Sequence, residues 1–239
     1  LFLLIFLLHP VYFLILLFTL STTNAASYSK SKKTLLNNIY FDNYNSFYCN
    51  NLFSIKLINN KYKTYLIPNI NKYKPRKQHF KSGKENYRAK RIEWEHIMPA
   101  HNFGKHLSCW KEGGRKACKN DKIFRIMTSD MHNLVPAIGE INNDRSNYRF
   151  GADKVRVGQY GKCEFQVDFK RKRAYVKDDI KGDIARIYFY MSDRYNINLS
   201  KQERKLFEVW NKEDPISEWE IIKNDRVFKI QGNSNPYVN

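Results

Sequence analysis

Acidic residues are scarce in this chain. Of its 239 residues, 23 are Asp or Glu against 42 Lys or Arg, which gives a formal net charge of +19. This imbalance means that the protein surface as a whole is not acidic. It predicts a polyanionic partner, either a nucleic acid or an anionic membrane. A codon bias that also enriches Asn, Ile, Tyr and Phe can account for part of the lysine content. Hydrophobic residues make up 42% of the chain, so most of it is expected to fold.

Cysteine is also scarce, and no pair has the Cys-x-x-Cys spacing, which argues against a zinc site. The four cysteines can pair in three ways. Cys109 and Cys118 lie in one short segment that contains two glycines, so a local disulfide is the simplest pairing. That pairing leaves Cys49 to bond with Cys163 and close a long loop. An even number of cysteines after an export signal is typical of disulfides.

Long apolar runs are absent after residue 20. Residues 1–20 carry no charge, and the small residues at 21–26 predict a signal peptide cleaved near Ala25 or Ala26. The alternative is an uncleaved anchor, because about 20 apolar residues can span a bilayer. Pro10 and the small residues favour cleavage. Signal peptides begin with Met and basic residues, and neither is present here, so the natural start is expected upstream.

Sequence repeats are absent too, and the local patterns predict a single folded domain at 47–239, preceded by a polar lead-in at 27–46 that is mobile or loosely helical. The predicted strands are 53–58, 62–67, 91–98, 133–136 and 164–169. The predicted helices are 122–131, 140–146, 178–195, 200–210 and 217–231. Residues 72–91 and 101–120 are predicted to be a basic link and a loop. Because strands come first and helices last, the predicted class is α+β.

The pair Glu95-His96 carries the strongest chemical signal. A His that accepts a proton from water, beside a carboxylate that holds a hard cation, is the minimum for metal-assisted phosphodiester hydrolysis. Alternation along a strand would point the two side chains to opposite faces. They can share a site if the strand ends or bends at Pro99. The plain alternative is a surface Glu and a packed His.

Further polar residues could complete such a site. Arg115 follows Gly113-Gly114, and a glycine pair lets backbone amides approach a phosphate that the guanidinium grips. Asn142 lies in a predicted helix, where its amide oxygen is an acceptable ligand for Mg²⁺ or Ca²⁺. Taken alone, Arg115 is more typical of a surface residue in a solvated turn, and Asn142 of an exposed position in a helix. Asn133 and Asn147 are candidates for holding the site together, and His101, His106 and His132 are expected to be structural or exposed.

Four longer motifs resemble the bacterial endonuclease I family. They are Arg-Ile-Glu-Trp-Glu-His-Ile-Met-Pro-Ala at 91–100, Gly-Gly-Arg-Lys-Ala-Cys at 113–118, Asp-Met-His-Asn-Leu-Val-Pro at 130–136 and Gly-Glu-Ile-Asn-Asn-Asp-Arg-Ser-Asn at 139–147. The resemblance extends over roughly 47–238. It implies an α+β fold with a ββα-metal (His-Me finger) core, N-terminal strands, C-terminal helices and disulfide staples.

The resemblance also implies roles for individual residues. Glu95 and Asn142 would hold one Mg²⁺ ion, with Ca²⁺ and Mn²⁺ as alternatives. His96 would act as the general base, and Arg115 would steady the scissile phosphate. The chain departs from the family in carrying two disulfides where four are usual, which is consistent with the Cys49–Cys163 pairing. His101 and Asn102 replace a usual Trp-Gln pair, and Asn143 replaces a usual Gly.

The leading hypothesis is therefore a periplasmic or secreted, magnesium-dependent, sequence-nonspecific endonuclease. Its expected substrates are double-stranded DNA, single-stranded DNA and RNA. It is expected to be monomeric and free of the membrane once the leader is removed. The alternatives are a nonenzymatic basic nucleic-acid-binding protein and a cationic membrane-active protein. The absence of a strongly amphipathic basic helix argues against the second alternative.

Overall fold

The computed structural model describes residues 27–239. The predicted signal peptide, with its cleavage site near Ala25 and Ala26, lies outside the described residues. Within 27–239 no helix combines the length and apolar character needed to cross a bilayer. Small sheets and helices alternate along the chain, so the mixed α+β class is confirmed. The predicted order is wrong, because helices also precede and separate the strands.

The helices are α1 (Tyr28–Thr34), α2 (Ala100–Gly104), α3 (Ser108–Ala117), α4 (Lys122–Ser129), α5 (Gly139–Arg145), α6 (Lys181–Tyr195), α7 (Lys201–Glu213) and α8 (Glu218–Gln231). The strands are β1 (Phe53–Ile58), β2 (Lys61–Leu66), β3 (Ile92–His96), β4 (Leu134–Ile138), β5 (Arg149–Phe150), β6 (Phe165–Asp168) and β7 (Arg173–Val176). They form two antiparallel pairs, β1–β2 and β3–β4, and one three-stranded sheet in the order β5-β7-β6.

Residues 27–46 begin with a helix, which is the second of the two forms predicted for this lead-in. Ser27 caps α1 by accepting a hydrogen bond from the Lys30 amide, and a π-helical turn, Leu35–Ile39, continues the helix. Leu35 and Ile39 are fully buried in the core. Their spacing of four residues places both side chains on one helical face, and burial of that face holds the segment against the rest of the protein.

The first hairpin forms where the sequence predicts it. β1 pairs with β2 in the register Ile58↔Lys61. Asn59 and Asn60 connect the strands with φ angles of 49° and 57°. Two successive positive φ values belong to a tight hairpin turn, and Asn tolerates them better than most residues.

The central unit consists of β3, β4 and α5. β3 and β4 pair antiparallel with Glu95 opposite Val135, and α5 begins at Gly139 directly after β4. A Cβ atom at position 139 would lie 2.7 Å from the Arg88 carbonyl oxygen, so only glycine permits this close approach. The unit places the predicted 91–98 strand and 140–146 helix against each other.

The predicted loop at 101–120 is wrong. These residues form α2, α3 and a 3₁₀ turn at Cys118–Asn120. The helical path of α3 is interrupted at Gly114, where φ is 63°. The glycine pair therefore breaks a helix but does not abolish it.

The C-terminal helices follow their sequence signals. Ser200 and Ser217 cap α7 and α8 through reciprocal hydrogen bonds with Glu203 and Glu220, and Gly232 ends α8 with a φ of 83°. Both predicted disulfides are present, Cys49–Cys163 and Cys109–Cys118. The first ties the segment before β1 to the segment before β6.

Candidate active site

A cleft of about 1080 Å³ opens beside the end of β3. Its walls come from α1, the tip of the β1–β2 hairpin, α3 and α5. Five of the predicted site residues line it: Glu95, His96, Arg115, Asn142 and Asn147. Asn133 lies behind the wall. The fold thus brings together residues that are up to 52 positions apart in the sequence.

Glu95 is buried and held by two donors. The Tyr48 hydroxyl donates to Glu95 Oε1 at 3.3 Å, and Arg145 Nη1 donates to the same oxygen at 3.1 Å. Oε2 accepts no hydrogen bond from any described residue. Burial raises the pKa of Glu95 to about 7, and the positive charge of Arg145 opposes that rise. The carboxylate therefore has one anchored oxygen and one available oxygen.

The imidazole of His96 is oriented by a backbone carbonyl. His96 Nε2 lies 2.9 Å from the Thr128 carbonyl oxygen, which can only accept, so Nε2 carries the proton and Nδ1 keeps its lone pair. Burial, together with the charges of Arg115 and Arg145, lowers the pKa of His96 to about 4, and the hydrogen bond to the Thr128 carbonyl opposes that fall. A neutral, fixed imidazole with an unprotonated nitrogen has the properties of a general base.

Tyr28 covers the His96 ring. The two ring centroids are 5.2 Å apart with an interplanar angle of 26°, and the Tyr28 hydroxyl donates to the Trp94 carbonyl oxygen at 3.0 Å. Sequence reasoning missed this residue, because it placed residues 27–46 outside the folded domain. No local signal identifies the contact, since 68 positions separate the two rings in the sequence.

Asn142 is oriented by a second carboxylate, Glu93. Asn142 Nδ2 donates to Glu93 Oε2 at 3.1 Å, while Asn142 Oδ1 accepts no hydrogen bond from any described residue. Arg88 and Arg91 both donate to Glu93 and fix it in turn. Sequence reasoning missed Glu93 as well. The period-2 alternation of β3, which puts Glu93 and Glu95 on one face, was the available signal.

Arg115 follows the break in α3 and projects from an exposed position into the cleft. Its charge adds to the burial that lowers the pKa of His96, and it opposes the burial that raises the pKa of Tyr28. The Cys109–Cys118 disulfide closes the segment that carries it. The geometry thus places one exposed guanidinium in the same cleft as the buried pair Glu95 and His96, where it can bind an anion.

The remaining candidates have distinct positions. Asn133 is fully buried. Its side chain accepts a hydrogen bond from the Met98 amide at 2.8 Å and donates one to the Met98 carbonyl oxygen at 3.0 Å. Asn147 lines the cleft. His132 is buried and bonds to the Asn233 carbonyl, as expected for a structural His. His101 lines the cleft beside Trp110, and His106 is exposed.

The acidic side chains of α5 form hydrogen bonds with the neighbouring loop. They do not serve as ligand-binding groups. Glu140 accepts hydrogen bonds from the Tyr73 hydroxyl and from the amides of Arg76 and Lys77. Asp144 accepts two bonds from the Arg76 guanidinium. Two charged positions of the 139–147 motif, Glu140 and Asp144, therefore have structural roles.

The oxygen atoms of Glu95 and Asn142 suit a hard cation. Both residues line the cleft, and each presents an oxygen that no described residue uses. Carboxylate and amide oxygens are the usual protein ligands of Mg²⁺, which keeps several waters and needs few protein ligands. Between residues 27 and 239 no group of three or more His, Cys, Asp or Glu side chains is arranged to bind a metal. A site here would therefore rest on one carboxylate and one amide.

A family model describing Endonuclease I matches residues 26–239. The chain belongs to the endonuclease I family. The match includes α1 and therefore the Tyr28 wall of the cleft. It also includes every residue of the candidate site.

Several known proteins are similar to this chain. Endonuclease-1 of Buchnera aphidicola from Acyrthosiphon pisum is 51% identical over 159 residues, which are 66% of this chain and 64% of that protein. The periplasmic deoxyribonuclease of Aeromonas hydrophila is 50% identical over 167 residues, 70% of this chain and 68% of that protein. The extracellular ribonuclease of Bacillus subtilis is 28% identical over 128 residues, 46% and 43% of the two chains. The match to the Buchnera protein spans just under two thirds of its length.

Proposed function

We propose that this protein is an exported, sequence-nonspecific endonuclease that hydrolyses phosphodiester bonds in DNA and RNA with one bound Mg²⁺ ion. The observation that carries the proposal is the convergence, in one cleft, of an unprotonated His96 Nδ1, an available Glu95 oxygen and the Arg115 guanidinium. The names of the similar proteins, which include deoxyribonucleases and a ribonuclease, support both substrate classes.

In this mechanism β3, β4 and α5 form the ββα-metal core. Glu95 and Asn142 would hold the Mg²⁺ ion, which would neutralise charge on the scissile phosphate and on the leaving oxygen. His96 Nδ1 takes a proton from the attacking water, and the Thr128 carbonyl keeps the imidazole in the required tautomer. Arg115 holds a phosphate oxygen by charge-assisted hydrogen bonds. Asn133 and Asn147 support the positions of the residues around them.

Export is supported by two observations. The similar Aeromonas proteins are named periplasmic and extracellular deoxyribonucleases. The chain also carries two disulfides and no free cysteine among its described residues, which fits an oxidising compartment. We propose a periplasmic or secreted location and a monomeric state.

A plasmid-nicking assay tests the proposed activity. Purified protein should convert supercoiled plasmid to open-circular and linear forms in Mg²⁺, and EDTA should abolish the conversion. Retarded migration of plasmid with no nicking at any Mg²⁺ concentration would instead indicate the nonenzymatic nucleic-acid-binding protein.

The metal ligands can be tested apart from activity. Calorimetric titration of Mg²⁺ into Glu95→Ala and Asn142→Ala should show weakened affinity in each, with the thermal unfolding profile of Asn142→Ala unchanged. Ser29→Ala is the control, because Ser29 lines the same cleft and its side chain makes no hydrogen bond with any described residue. Unchanged Mg²⁺ affinity in both site variants would remove the two residues from the metal site.

A further inference from the structure

The segment from Asn43 to Lys84 has an unusual charge distribution. It contains nine Lys or Arg and no Asp or Glu. The β1–β2 hairpin is its regular element and is largely exposed. Its lysines, Lys56, Lys61 and Lys63, take part in none of the ion pairs among the described residues. The hairpin therefore presents positive charge that the folded protein does not neutralise.

The placement of Lys56 serves the stability of the hairpin only in part, because its Nζ atom lies 5.5 Å from the centre of the Tyr65 ring but a second lysine faces it across the strands. Lys56 lies directly opposite Lys63 across the two strands, and like charges in that position repel each other. Leu57 and Tyr62, another cross-strand pair, are 60% and 44% exposed. Exposed apolar and aromatic side chains among unpaired lysines are the features of surfaces that bind nucleic-acid strands.

The tip of the hairpin is continuous with the candidate active site. Asn60, Lys61 and Tyr62 line the same cleft as His96. α1 contributes Lys32 and Lys33 to the lining of the same cleft. A polynucleotide bound in the cleft at His96 would therefore lie near lysines from both elements.

We propose that the tip of the β1–β2 hairpin, residues 60–62, is a second nucleic-acid-binding element that holds the polynucleotide beside the scissile phosphate. The inference rests on the proposed nuclease function. Lys61 pairs with a backbone phosphate, and the Tyr62 ring stacks on a base. Both contacts are independent of base identity, as nonspecific cleavage requires. A substrate too short to extend from His96 to the tip loses them, so the tip favours long substrates over short ones.

The hairpin supplies its own matched control. Lys61→Gln/Tyr62→Ser alters the tip, whereas Lys63→Gln/Tyr65→Ser removes the same residue types from the same strand. Neither Lys63 nor Tyr65 is among the described residues that line the cleft. Both double variants are made in the His96→Ala background, and binding to a fluorescent single-stranded oligonucleotide of about 20 nucleotides is measured between about 50 and 200 mM salt.

The tip variant should weaken binding by about tenfold, as the loss of one stacked base and one phosphate contact predicts. Its plot of log affinity against log salt concentration should become shallower, with the magnitude of the slope smaller by about 0.7, the value for one phosphate contact on a single strand. The control should change affinity by less than about twofold. Equal losses in the two variants, or no loss in the tip variant, would overturn the proposal. If the double variant does not fold, Lys61→Gln alone gives the same salt-slope test.

A second measurement separates this proposal from the nuclease function. With His96 intact, the ratio of kcat/KM for a long single strand to that for a tetranucleotide should fall about fivefold or more in the tip variant and stay unchanged in the control. An unchanged ratio in the tip variant would overturn the tip proposal while leaving the nuclease function in place. A wild-type protein that cleaves neither substrate would reject the nuclease function, and the binding experiment would still decide the role of the tip. Binding of an acidic polypeptide as tightly as the oligonucleotide would identify a protein partner and overturn the proposal.

Discussion

Asn142 Nδ2 lies 3.1 Å from Glu93 Oε2, and the amide oxygen of Asn142 has no partner among residues 27–239. Glu93 is itself held by Arg88 and Arg91. A side-chain amide has two chemically different ends, and only its oxygen can bind a cation. The carboxylate of Glu93 thus selects the orientation of Asn142 that a metal site needs.

The first prediction follows from this contact. Glu93→Ala should weaken Mg²⁺ affinity by about tenfold or more, as is usual when a residue that orients a metal ligand is lost. Glu93→Gln should lose less, because its amide oxygen can still accept from Asn142. Calorimetric titration of Mg²⁺ measures both. Glu85→Ala, which removes a nearby carboxylate that pairs with Lys90, is the control. Wild-type affinity in Glu93→Ala would show that Asn142 needs no such partner.

The buried ion pair between Arg145 and Glu95 predicts a large effect on stability. Both side chains are almost completely inaccessible to solvent, and Arg145 also donates to the carbonyls of His96 and Ile97. Arg145→Met should lower the free energy of unfolding by about 3–5 kcal/mol, since it leaves a buried carboxylate without its partner. Urea denaturation gives the value. The exposed Lys229 offers a comparison, and Lys229→Met should stay within about 0.5 kcal/mol of wild type. A similarly small change in Arg145→Met would mean that Glu95 is solvated in solution.

The two disulfides should differ in their contribution to stability. In the chain-entropy model a closed loop constrains the unfolded chain more strongly as it lengthens. The sequence separations are 114 for Cys49–Cys163 and 9 for Cys109–Cys118. Replacing the first pair by Ser should therefore cost about 2 kcal/mol more than replacing the second. Only the second replacement should also reduce phosphate binding in the cleft, because that disulfide closes the segment with Arg115. Chemical denaturation of the two double variants measures both losses of stability. A larger loss from replacing Cys109–Cys118 than from replacing Cys49–Cys163 would contradict this account.

Lys223 predicts a specific dependence of stability on pH. Its ammonium is buried and donates to the carbonyls of His132 and Leu134. Burial lowers its pKa from 10.5 to about 8. Between pH 8 and 10.5 the unfolded chain therefore binds more protons at Lys223 than the folded chain does, so its contribution to stability rises with pH.

The measurement compares wild type with Lys223→Met by urea denaturation from pH 7 to pH 10. Relative to the variant, wild type should gain on the order of 2 kcal/mol across this range. The buried tyrosines titrate in both proteins and cancel in the comparison. A difference that stays constant with pH would show that Lys223 keeps an ordinary pKa in the folded state.

The parts of the fold that the sequence predicts well are those set by local rules. The Asn59-Asn60 turn and the serine caps of α7 and α8 follow from backbone preferences that act within a few residues. Glu95, His96 and Arg115 were predicted as site residues from contiguous motifs, and all three line one cleft. These predictions needed no knowledge of long-range contacts.

The parts that the sequence did not predict depend on tertiary contacts. α2 and α3 form although their segment is rich in glycine, because Trp110 packs so closely on Gly104 that a Cβ atom there would lie 2.4 Å from the indole. The Cys109–Cys118 disulfide also joins the ends of this segment. Tyr28 stacks on His96 only because the burial of Leu35 and Ile39 places α1 beside the cleft. Local propensity contains no information about such contacts.

The central claim is that His96 performs the chemistry in this cleft, and cleavage and binding measured side by side test it most directly. His96→Ala should nick supercoiled plasmid in Mg²⁺ at least about a hundredfold more slowly than wild type, the usual minimum for loss of a general base. Its affinity for the same DNA should stay within about twofold, because His96 is not a phosphate contact. His106→Ala, an exposed histidine outside the cleft, should cleave like wild type. A His96→Ala protein that keeps more than about a tenth of the wild-type rate would contradict the assignment of the base.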